Sequence, residues 1–140
     1  MRLFKNMIDN IVETIRKSFE TRDFGPFVEL FAENGVYETP FAAENNKIEG
    51  IEAIRKHFAQ MTESIINKTL KIEKVTVNSI PAVDGTTVFV AFHISGTKVP
   101  DGSRFNFPSS VAVLYTKDYK ITRYEDYPNV AGIRKVAGLS

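Results

Sequence analysis

The stretch IEGIEAIRKHF, Ile48 to Phe58, predicts a tight turn followed by the first turns of an amphipathic helix. Gly50 supplies the turn, and the apolar residues that follow recur at the spacing of one helix face. His57, one of two histidines in the chain, falls at the border of that apolar face. The pattern predicts a helix from about Ile51 to Ile66.

Two further helices are predicted upstream of this stretch. The first has one long apolar face and is expected to end near Arg22. Pro26 suits the first turn of a short second helix, PFVELFAE, which Asn34-Gly35 is expected to close. The segment VYETPF then predicts a short strand stopped by Pro40, and the polar residues from about 42 to 50 predict a loop. The apolar face of the first helix consists of Leu3, Phe4, Met7, Ile8, Ile11, Val12, Ile15 and Phe19.

The chain after Lys68 predicts four long strands separated by turns. The runs are TLKIEKVTVNSI, TTVFVAFHISGT, RFNFPSSVAVLYT and YKITRYEDY, with turn signals at Asp84-Gly85 and Pro100-Asp101-Gly102. The apolar phase of the first run slips between Ile72 and Val75, which predicts a bulge or bend. The second and third runs are partly apolar on both faces, so the second face is expected to line a pocket or to contact another subunit. The tail after Pro128 is expected to form one or two helical turns.

Helices followed by an antiparallel meander indicate an α+β fold with helices on one face of the sheet. At 140 residues the chain is expected to form one domain, residues 1–140. The near-balance of 18 basic and 17 acidic residues gives no electrostatic reason to expect nucleic acid or an anionic membrane surface as partner. Cysteine is absent, the N-terminus lacks the apolar core of a signal peptide, and no apolar run is long enough for a membrane span. A cytoplasmic protein is therefore expected.

Two motifs carry a resemblance to a known superfamily. FAENGVYETPFA, with its F-A-x-x-G-V-x-E-x-P pattern, and IEGIEAIRKHF occur in the order found in the nuclear transport factor 2-like fold. The SnoaL-like and ketosteroid-isomerase-like branch is the closer match, over nearly the whole chain. The resemblance implies a cone: a curved, cystatin-like antiparallel sheet with three N-terminal helices on its concave face. It also implies a small apolar ligand inside the cone and a homodimer formed through the outer face of the sheet.

Within this branch, two stretches are similar to the phenazine-biosynthesis A/B proteins. IEGIEAIRKHF matches the stretch in which a histidine at the position of His57 is a catalytic-site residue. KITRYEDYPNV matches their last strand, where an acid/base glutamate falls at the position of Asp126. The resemblance therefore implies His57 and Asp126 as a catalytic pair. It does not extend to the substrate of those proteins.

The ketosteroid isomerases provide a contrast. Their general-base aspartate directly precedes the proline of the short-strand motif, where this chain has Thr39. Glu38 stands one residue earlier, which in a strand means the opposite face. A steroid isomerase is therefore not expected, and Glu38 is expected to face solvent or to form a salt bridge, with a second carboxylate in the pocket as the alternative. In the branch this strand borders the pocket, so Tyr37 and Phe41 are expected to contact a ligand.

Each candidate also has a purely structural interpretation. His57 at a stripe border is commonly a half-exposed histidine with no chemistry. Strand alternation places Tyr124 and Asp126 on one face and Glu125 on the other, but either acid has Arg123 nearby as a salt-bridge partner. His93 is expected to be buried or to lie on a dimer face. Neither histidine has a short metal-ligand spacing, so no metal site is expected.

The sequence thus leads to two hypotheses from different classes. The first is a cofactor-independent acid/base enzyme of isomerase, cyclase or dehydratase type, acting on a small apolar cyclic or carbonyl compound. His57 and Asp126 would exchange protons with the substrate, Tyr124 would orient it, and Phe58 would help to wall the pocket. The second is a ligand-binding or dimerisation module without chemistry. A cone filled by phenylalanines would favour the second.

Overall fold

The structure, a computed structural model, describes residues 2–44 and 46–139, with no side chain described before Lys5. Its elements follow the predicted α+β order, and the fold class is confirmed. The helices are α1 (Arg2–Thr21), α2 (Gly25–Val28), α3 (Ile51–Met61), α4 (Ile65–Thr69) and α5 (Val130–Val136). The strands are β1 (Phe31–Glu38), β2 (Lys47–Glu49), β3 (Leu70–Pro81), β4 (Thr87–Lys98), β5 (Arg104–Lys117) and β6 (Lys120–Pro128).

The strands form one curved six-stranded sheet in the order β2-β1-β6-β5-β4-β3. Strands β3 to β6 make the predicted antiparallel meander. Strand β1 pairs in parallel with β6, the last strand of the chain. This pairing places Tyr37 beside Tyr124 and Glu38 beside Glu125, so the first and last strands together build one wall of the cone.

Helix α1 packs its apolar face against the sheet as predicted. Ile8, Ile11 and Ile15 are buried, and the helix ends at Thr21, one residue before the expected end. The expected burial of Leu3 and Phe4 concerns side chains outside the described residues. Aromatic rings fill much of the space between helices and sheet, because burial of their large apolar surfaces stabilises the folded state strongly. The aromatic cluster comprises Phe19, Phe24, Phe27, Phe31, Phe58, Phe92, Tyr37 and Tyr124.

The second predicted helix is wrong beyond its first turn. Helix α2 ends at Val28, and strand β1 already begins at Phe31. Asn34 and Gly35 lie inside that strand at an irregularity in its pairing with β6. A side chain at Gly35 would approach Ile121 O to 3.1 Å, so glycine serves close backbone approach here and not a helix cap.

Two other local predictions need correction. The loop expected from residues 42 to 50 contains strand β2, because Lys47–Glu49 finds a partner in the edge of β1. The helix expected to run to Ile66 ends at Met61, and α4 begins separately after Ser64, whose hydroxyl accepts a hydrogen bond from the Asn67 backbone N–H at 3.2 Å. Serine is a favoured N-cap, so this local bond starts a new helix. Helix α5 lies where the sequence predicts helical turns after Pro128, so α4 is the one helix of the described residues that was not expected.

The predicted bulge in β3 is confirmed. The register of β3 against β4 shifts between Ile72 and Lys74. Gly96 of β4 lies opposite, where an added Cβ would stand 1.9 Å from Lys71 O. The absence of a side chain at Gly96 therefore allows the two backbones to approach at the bend.

The central strands bury one face and expose the other. In β4, Val90 and Phe92 face the core, whereas Phe89 and His93 face outward. Of the two environments expected for His93, burial is excluded, because its ring lies on the outer face of the sheet and is hydrogen-bonded to the Asn106 side chain. The position on a dimer face stays a prediction. None of the helices formed by the described residues is long and apolar enough to cross a membrane.

Candidate functional site

A partly buried hydrogen bond inside the cone joins strands β1 and β6. The Tyr37 hydroxyl donates a hydrogen bond to Asp126 Oδ2 at 2.5 Å. The parallel pairing of the two strands makes this contact possible, because Asp126 lies two residues beyond the Tyr37 partner Tyr124 and on the same face. The alternation expected from the sequence agrees with this placement: Asp126 turns inward, while Glu125 turns outward and accepts a hydrogen bond from the Tyr115 hydroxyl at 3.2 Å.

The Asp126 carboxyl group is largely enclosed by protein but not sealed from solvent. Burial raises its pKa from 3.8 to about 6, although the hydrogen bond from Tyr37 opposes that shift. Burial disfavours the charged form, whereas a donated hydrogen bond favours it. A carboxyl group with a pKa near 6 exchanges protons readily near neutral pH, which is the property that general acid/base catalysis requires.

Tyr124 supplies a hydroxyl group that has no hydrogen-bond partner among the described residues. Its ring is buried and stacks on Tyr37, with ring centroids 5.3 Å apart and planes 17° apart. Burial and the nearby charge of Asp126 raise the pKa of Tyr124 well above its ordinary value, so the hydroxyl keeps its proton. A buried donor without a partner is costly. Tyr124 is therefore a candidate donor to a bound molecule.

His57 approaches the same tyrosine from helix α3. Its ring centroid lies 5.6 Å from that of Tyr37 and 5.1 Å from that of Phe58. The side chain is half-buried, and burial lowers its pKa below 6.5. Within residues 2–44 and 46–139, His57 and Asp126 share no hydrogen bond or ion pair, but both contact Tyr37. The structure thus brings both predicted residues to Tyr37, His57 at the ring and Asp126 at the hydroxyl group.

The remaining predicted residues are placed in three different environments. Phe58 is buried in the aromatic cluster. Glu38 forms an ion pair with Arg123, the salt-bridge role expected for it. Phe41 is 86% exposed and packs edge-on against Tyr127, with centroids 4.9 Å apart. A ligand inside the cone would not contact Phe41 in this arrangement, so Phe41 has no part in the proposals below.

A cavity of about 150 Å³ lies beside this polar group, between the helices and the inner face of the sheet. Neither His57 nor Asp126 lines it. The Ser110–Pro128 pair does, and it lies two residues from the Ala112–Asp126 pair along β5 and β6, with the Val111–Tyr127 pair between them. Asp126 is thus two residues along β6 from the cavity wall. The lining residues are Phe19, Arg22, Phe24, Met61, Ile66, Asn67, Leu70, Ile72, Ile94, Ser109, Ser110, Pro128 and Ile133.

The cavity contains one charged residue that the sequence reasoning did not identify. The sequence places Arg22 only at the end of the first helix, and it gives no role to Asn67, which follows the predicted end of the third helix. No sequence signal marks either residue, because an arginine near a helix C-terminus is common. A larger groove of about 590 Å³ lies between α1 and the β3–β4 turn. It does not adjoin Asp126 and is not part of the candidate site.

The comparisons with known proteins identify relatives along most of the chain. A relative in Bacillus subtilis (strain 168), the uncharacterized protein YesE, is 28% identical over 99% of this chain and 94% of its own length. A B. subtilis crystal structure described as a candidate isomerase is 24% identical, covers 98% of this chain and 96% of its own, and has a TM-score of 0.78. A phenazine biosynthesis-related protein from Pseudomonas aeruginosa is 15% identical, with coverages of 99% and 87% and a TM-score of 0.65.

These structural likenesses show a shared fold. Solved structures described as nuclear transport factor 2-like and as cystatin-like match the chain at TM-scores of 0.66 and 0.65, which confirms the fold expected from the sequence motifs. The family model of the SnoaL-like domain matches residues 12–124, from within α1 to Tyr124 of β6. The chain therefore belongs to the SnoaL-like domain family.

Proposed function

We propose that this protein binds a small, mainly apolar carbonyl compound in the cone and catalyses proton transfer on it without a cofactor. The observation that supports this most is the Tyr37–Asp126 hydrogen bond of 2.5 Å around a carboxyl group whose pKa is about 6. A mainly apolar cavity with a few polar side chains is typical of small-molecule sites. The cavity wall ends two residues along β6 from Asp126, so the proposed ligand extends from the cavity to that carboxyl group.

The reaction follows from the protonation states of the side chains. The Asp126 carboxylate takes a proton from the carbon next to the substrate carbonyl: the C–H bond breaks, an O–H bond forms on Asp126, and the electron pair moves to the carbonyl oxygen. The free Tyr124 hydroxyl donates a hydrogen bond to that oxygen as its charge grows. Asp126 then delivers the proton to a different carbon of the substrate, where a C–H bond forms as the electron pair returns from the carbonyl oxygen, which completes an isomerisation.

Tyr37 and His57 have supporting roles in this scheme. Tyr37 positions the Asp126 carboxyl group, because its hydroxyl proton is already donated to Oδ2. His57, whose pKa is lowered by burial, is a second group able to accept a proton, with its ring centroid 5.6 Å from that of Tyr37. We propose that Asp126 and His57 together exchange protons with the substrate.

Hydrogen–deuterium exchange on a cyclic ketone tests this function without knowledge of the natural substrate. Cyclohexanone in deuterated buffer exchanges the hydrogens next to its carbonyl, and NMR measures the rate. The wild-type protein is expected to accelerate exchange, and Asp126→Asn to lose about 10²- to 10⁴-fold of that acceleration, the usual contribution of a positioned acid or base.

Glu125→Gln is the matched control, because Glu125 neighbours Asp126 on the same strand but faces outward. Its exchange rate is expected to stay within about twofold of wild type. A folded Asp126→Asn variant that keeps the full wild-type acceleration would rule out the proposed chemistry.

The second candidate is a binding or dimerisation module without catalysis. The dense aromatic cluster favours it, because the rings of Phe27, Phe58 and Tyr124 occupy the middle of the cone and the cavity beside them is small, about 150 Å³. The exchange experiment separates the two candidates, since a module does not accelerate exchange on any cyclic ketone.

We also propose that two copies associate through the outer face of the sheet. Phe89 of β4 is 49% exposed and Val111 of β5 is 51% exposed. The pairing register places them on neighbouring strands. Ala91 lies opposite Val111, and Phe89 lies two residues from Ala91 along β4. An apolar strip on a regular sheet face is the kind of surface that proteins usually cover.

A further inference from the structure

Arg22 has an unusual backbone conformation for its residue type. It follows the last residue of α1 with a φ of 63°, in the left-handed region. Glycine is the usual residue at this point of a helix C-terminus, because any side chain there costs about 1 kcal/mol or more. A long charged side chain at a strained backbone position suggests that the side chain has a function.

The Arg22 guanidinium group is held at the wall of the cavity. Its two terminal nitrogens donate hydrogen bonds, one to Phe19 O at 3.4 Å and one to the Asn67 side-chain oxygen. The Asn67 amide nitrogen donates in turn to Thr62 O at 3.2 Å, which orients the Asn67 oxygen toward the arginine. The Phe24 ring lies 5.0 Å from the guanidinium carbon. The group is thus fixed by three neighbours before any ligand arrives.

This fixed group lacks a counter-ion and one hydrogen-bond partner. Arg22 Nε is fully buried and has no acceptor within the described part of the chain. None of the ion pairs formed by residues 2–44 and 46–139 includes Arg22. Desolvation lowers its pKa from 12.5 to about 10, so it still carries its charge near neutral pH. A desolvated cation is costly when it has no partner, and an incoming anion removes that cost.

We propose that Arg22 binds the carboxylate group of the ligand, and that the natural ligand is a small ring compound bearing a carboxylate. The cavity size sets the ring size, since about 150 Å³ accommodates one benzene-sized ring. The planar guanidinium group sets the anion, because its parallel N–H groups match the two oxygens of a carboxylate. This inference rests on the proposed function in taking this cavity as the ligand site, and it adds the chemical class of that ligand.

The test compares benzoate with benzamide, which has nearly the same shape and no charge. Calorimetry near pH 7 is expected to show benzoate binding at least about tenfold more tightly than benzamide, as expected for a charge-assisted hydrogen bond. Arg22→Met is expected to abolish the preference, and Arg22→Lys to retain part of it. These variants keep a non-glycine residue at position 22, so the backbone strain stays the same.

Arg104→Met is the control, because Arg104 is an exposed arginine paired with Glu73 at 3.2 Å, away from the cavity. It is expected to bind benzoate like wild type. A readout on the wild-type protein avoids dependence on variant folding: benzoate is expected to shift the Arg22 Nε–H NMR signal, and benzamide to leave it nearly unchanged. Equal affinity for the two compounds, an unchanged preference in Arg22→Met, or no binding of either compound would overturn the inference.

The outcome of the benzoate test can be separated from the outcome of the exchange test on the catalytic proposal. Asp126→Asn is expected to keep the preference for benzoate, because Asp126 does not line the cavity. If Arg22→Met loses that preference while Asp126→Asn leaves cyclohexanone exchange unchanged, the carboxylate site stands and the catalysis fails. If Asp126→Asn abolishes exchange while benzoate and benzamide bind equally, the catalytic proposal stands and the carboxylate site fails.

Discussion

The hydroxyl group of Tyr37 lies 2.5 Å from Oδ2 of Asp126, although the two residues are 89 positions apart in the chain. The bond stabilises the charged carboxylate, whereas burial destabilises it, and burial has the larger effect on the pKa. The site is therefore a carboxyl group held between two opposing influences. Both are accessible to mutation.

The first prediction concerns stability and pH. Because the pKa of Asp126 is raised from 3.8 to about 6 on folding, the folded protein binds this proton more tightly than the unfolded chain does. Stability therefore falls as pH rises from about 4 to about 6, by about 3 kcal/mol in total. Asp126→Asn removes this dependence, so its stability relative to wild type is expected to be about 3 kcal/mol more favourable at about pH 8 than at about pH 4.

Urea unfolding at the two pH values measures this difference, with Glu125→Gln as the control because its side chain faces outward. The same pH dependence in Asp126→Asn and in wild type would show that Asp126 titrates normally in the folded state.

The second prediction concerns the hydrogen bond itself. Tyr37→Phe removes the donor that lowers the pKa of Asp126, so the pKa is expected to rise further above 6. Carbon NMR of the Asp126 carboxyl group, followed through a pH titration, measures the change. Tyr119→Phe is the control, because Tyr119 is an exposed tyrosine in the β5–β6 turn. A fall in the Asp126 pKa, or no change, would contradict the proposed role of Tyr37.

The third prediction concerns His57. Burial lowers its pKa, so proton NMR is expected to give a titration midpoint below 6.5. Since the folded-state pKa is depressed, His57 contributes stability that is present above about pH 6.5 and is lost as pH falls below that value. His93→Gln identifies the His57 signal by elimination, as the chain has two histidines. A midpoint at or above 6.5 would mean that the ring is solvated.

The fourth prediction concerns the bend in the sheet. Gly96→Ala places a methyl group where a Cβ would stand 1.9 Å from Lys71 O, so strand β3 has to move. The variant is expected to lose about 1 to 3 kcal/mol in its free energy of unfolding, as overpacked sites do. Gly25→Ala is the control, because its nearest contact, to the Asp23 side chain, is an ordinary 3.4 Å. Equal stability of the two variants would contradict a close approach at the bulge.

The fifth prediction concerns the outer face of the sheet. Val111→Lys introduces a charge into the apolar strip and is expected to convert a dimer into a monomer, because an unpaired charge in an interface is strongly unfavourable. Light scattering after gel filtration measures the mass. Val83→Lys, at the fully exposed β3–β4 turn, is expected to leave it unchanged. A wild-type protein that is already monomeric at high concentration would contradict the proposed association.

The sequence predicts most reliably those parts that depend on local periodicity. The long strands, the first helix and the slip at Ile72 all leave a period of two or of 3.6 in the apolar residues, and the structure contains each of them. Asn34-Gly35 misled the prediction, because the same pair suits a helix cap or an irregular strand. Only the distant partner Ile121 of β6 decides between them.

The residues of the candidate site also differ in whether a local sequence pattern can identify them. Asp126 on the inward face follows from strand alternation, and the resemblance to a known family supplies His57. The Tyr37–Asp126 bond depends on a parallel pairing between the ends of the chain, which no local pattern reveals. Arg22 is hidden for another reason: its isolation depends on which acids are absent from its surroundings in three dimensions.

The parallel pairing of β1 with β6 also has a consequence for the order of events during synthesis. Strand β1 leaves the ribosome long before β6, which runs from Lys120 to Pro128. The edge of β1 that pairs with β6 therefore stays unpaired until β6 has been synthesised. Tyr37 accordingly has no acid to bond until residue 126 has been made. A chain released before residue 126 contains the segments of α1 to α4 and of β1 to β5 but lacks the acid that Tyr37 contacts, so this hydrogen bond forms only after synthesis has passed β6.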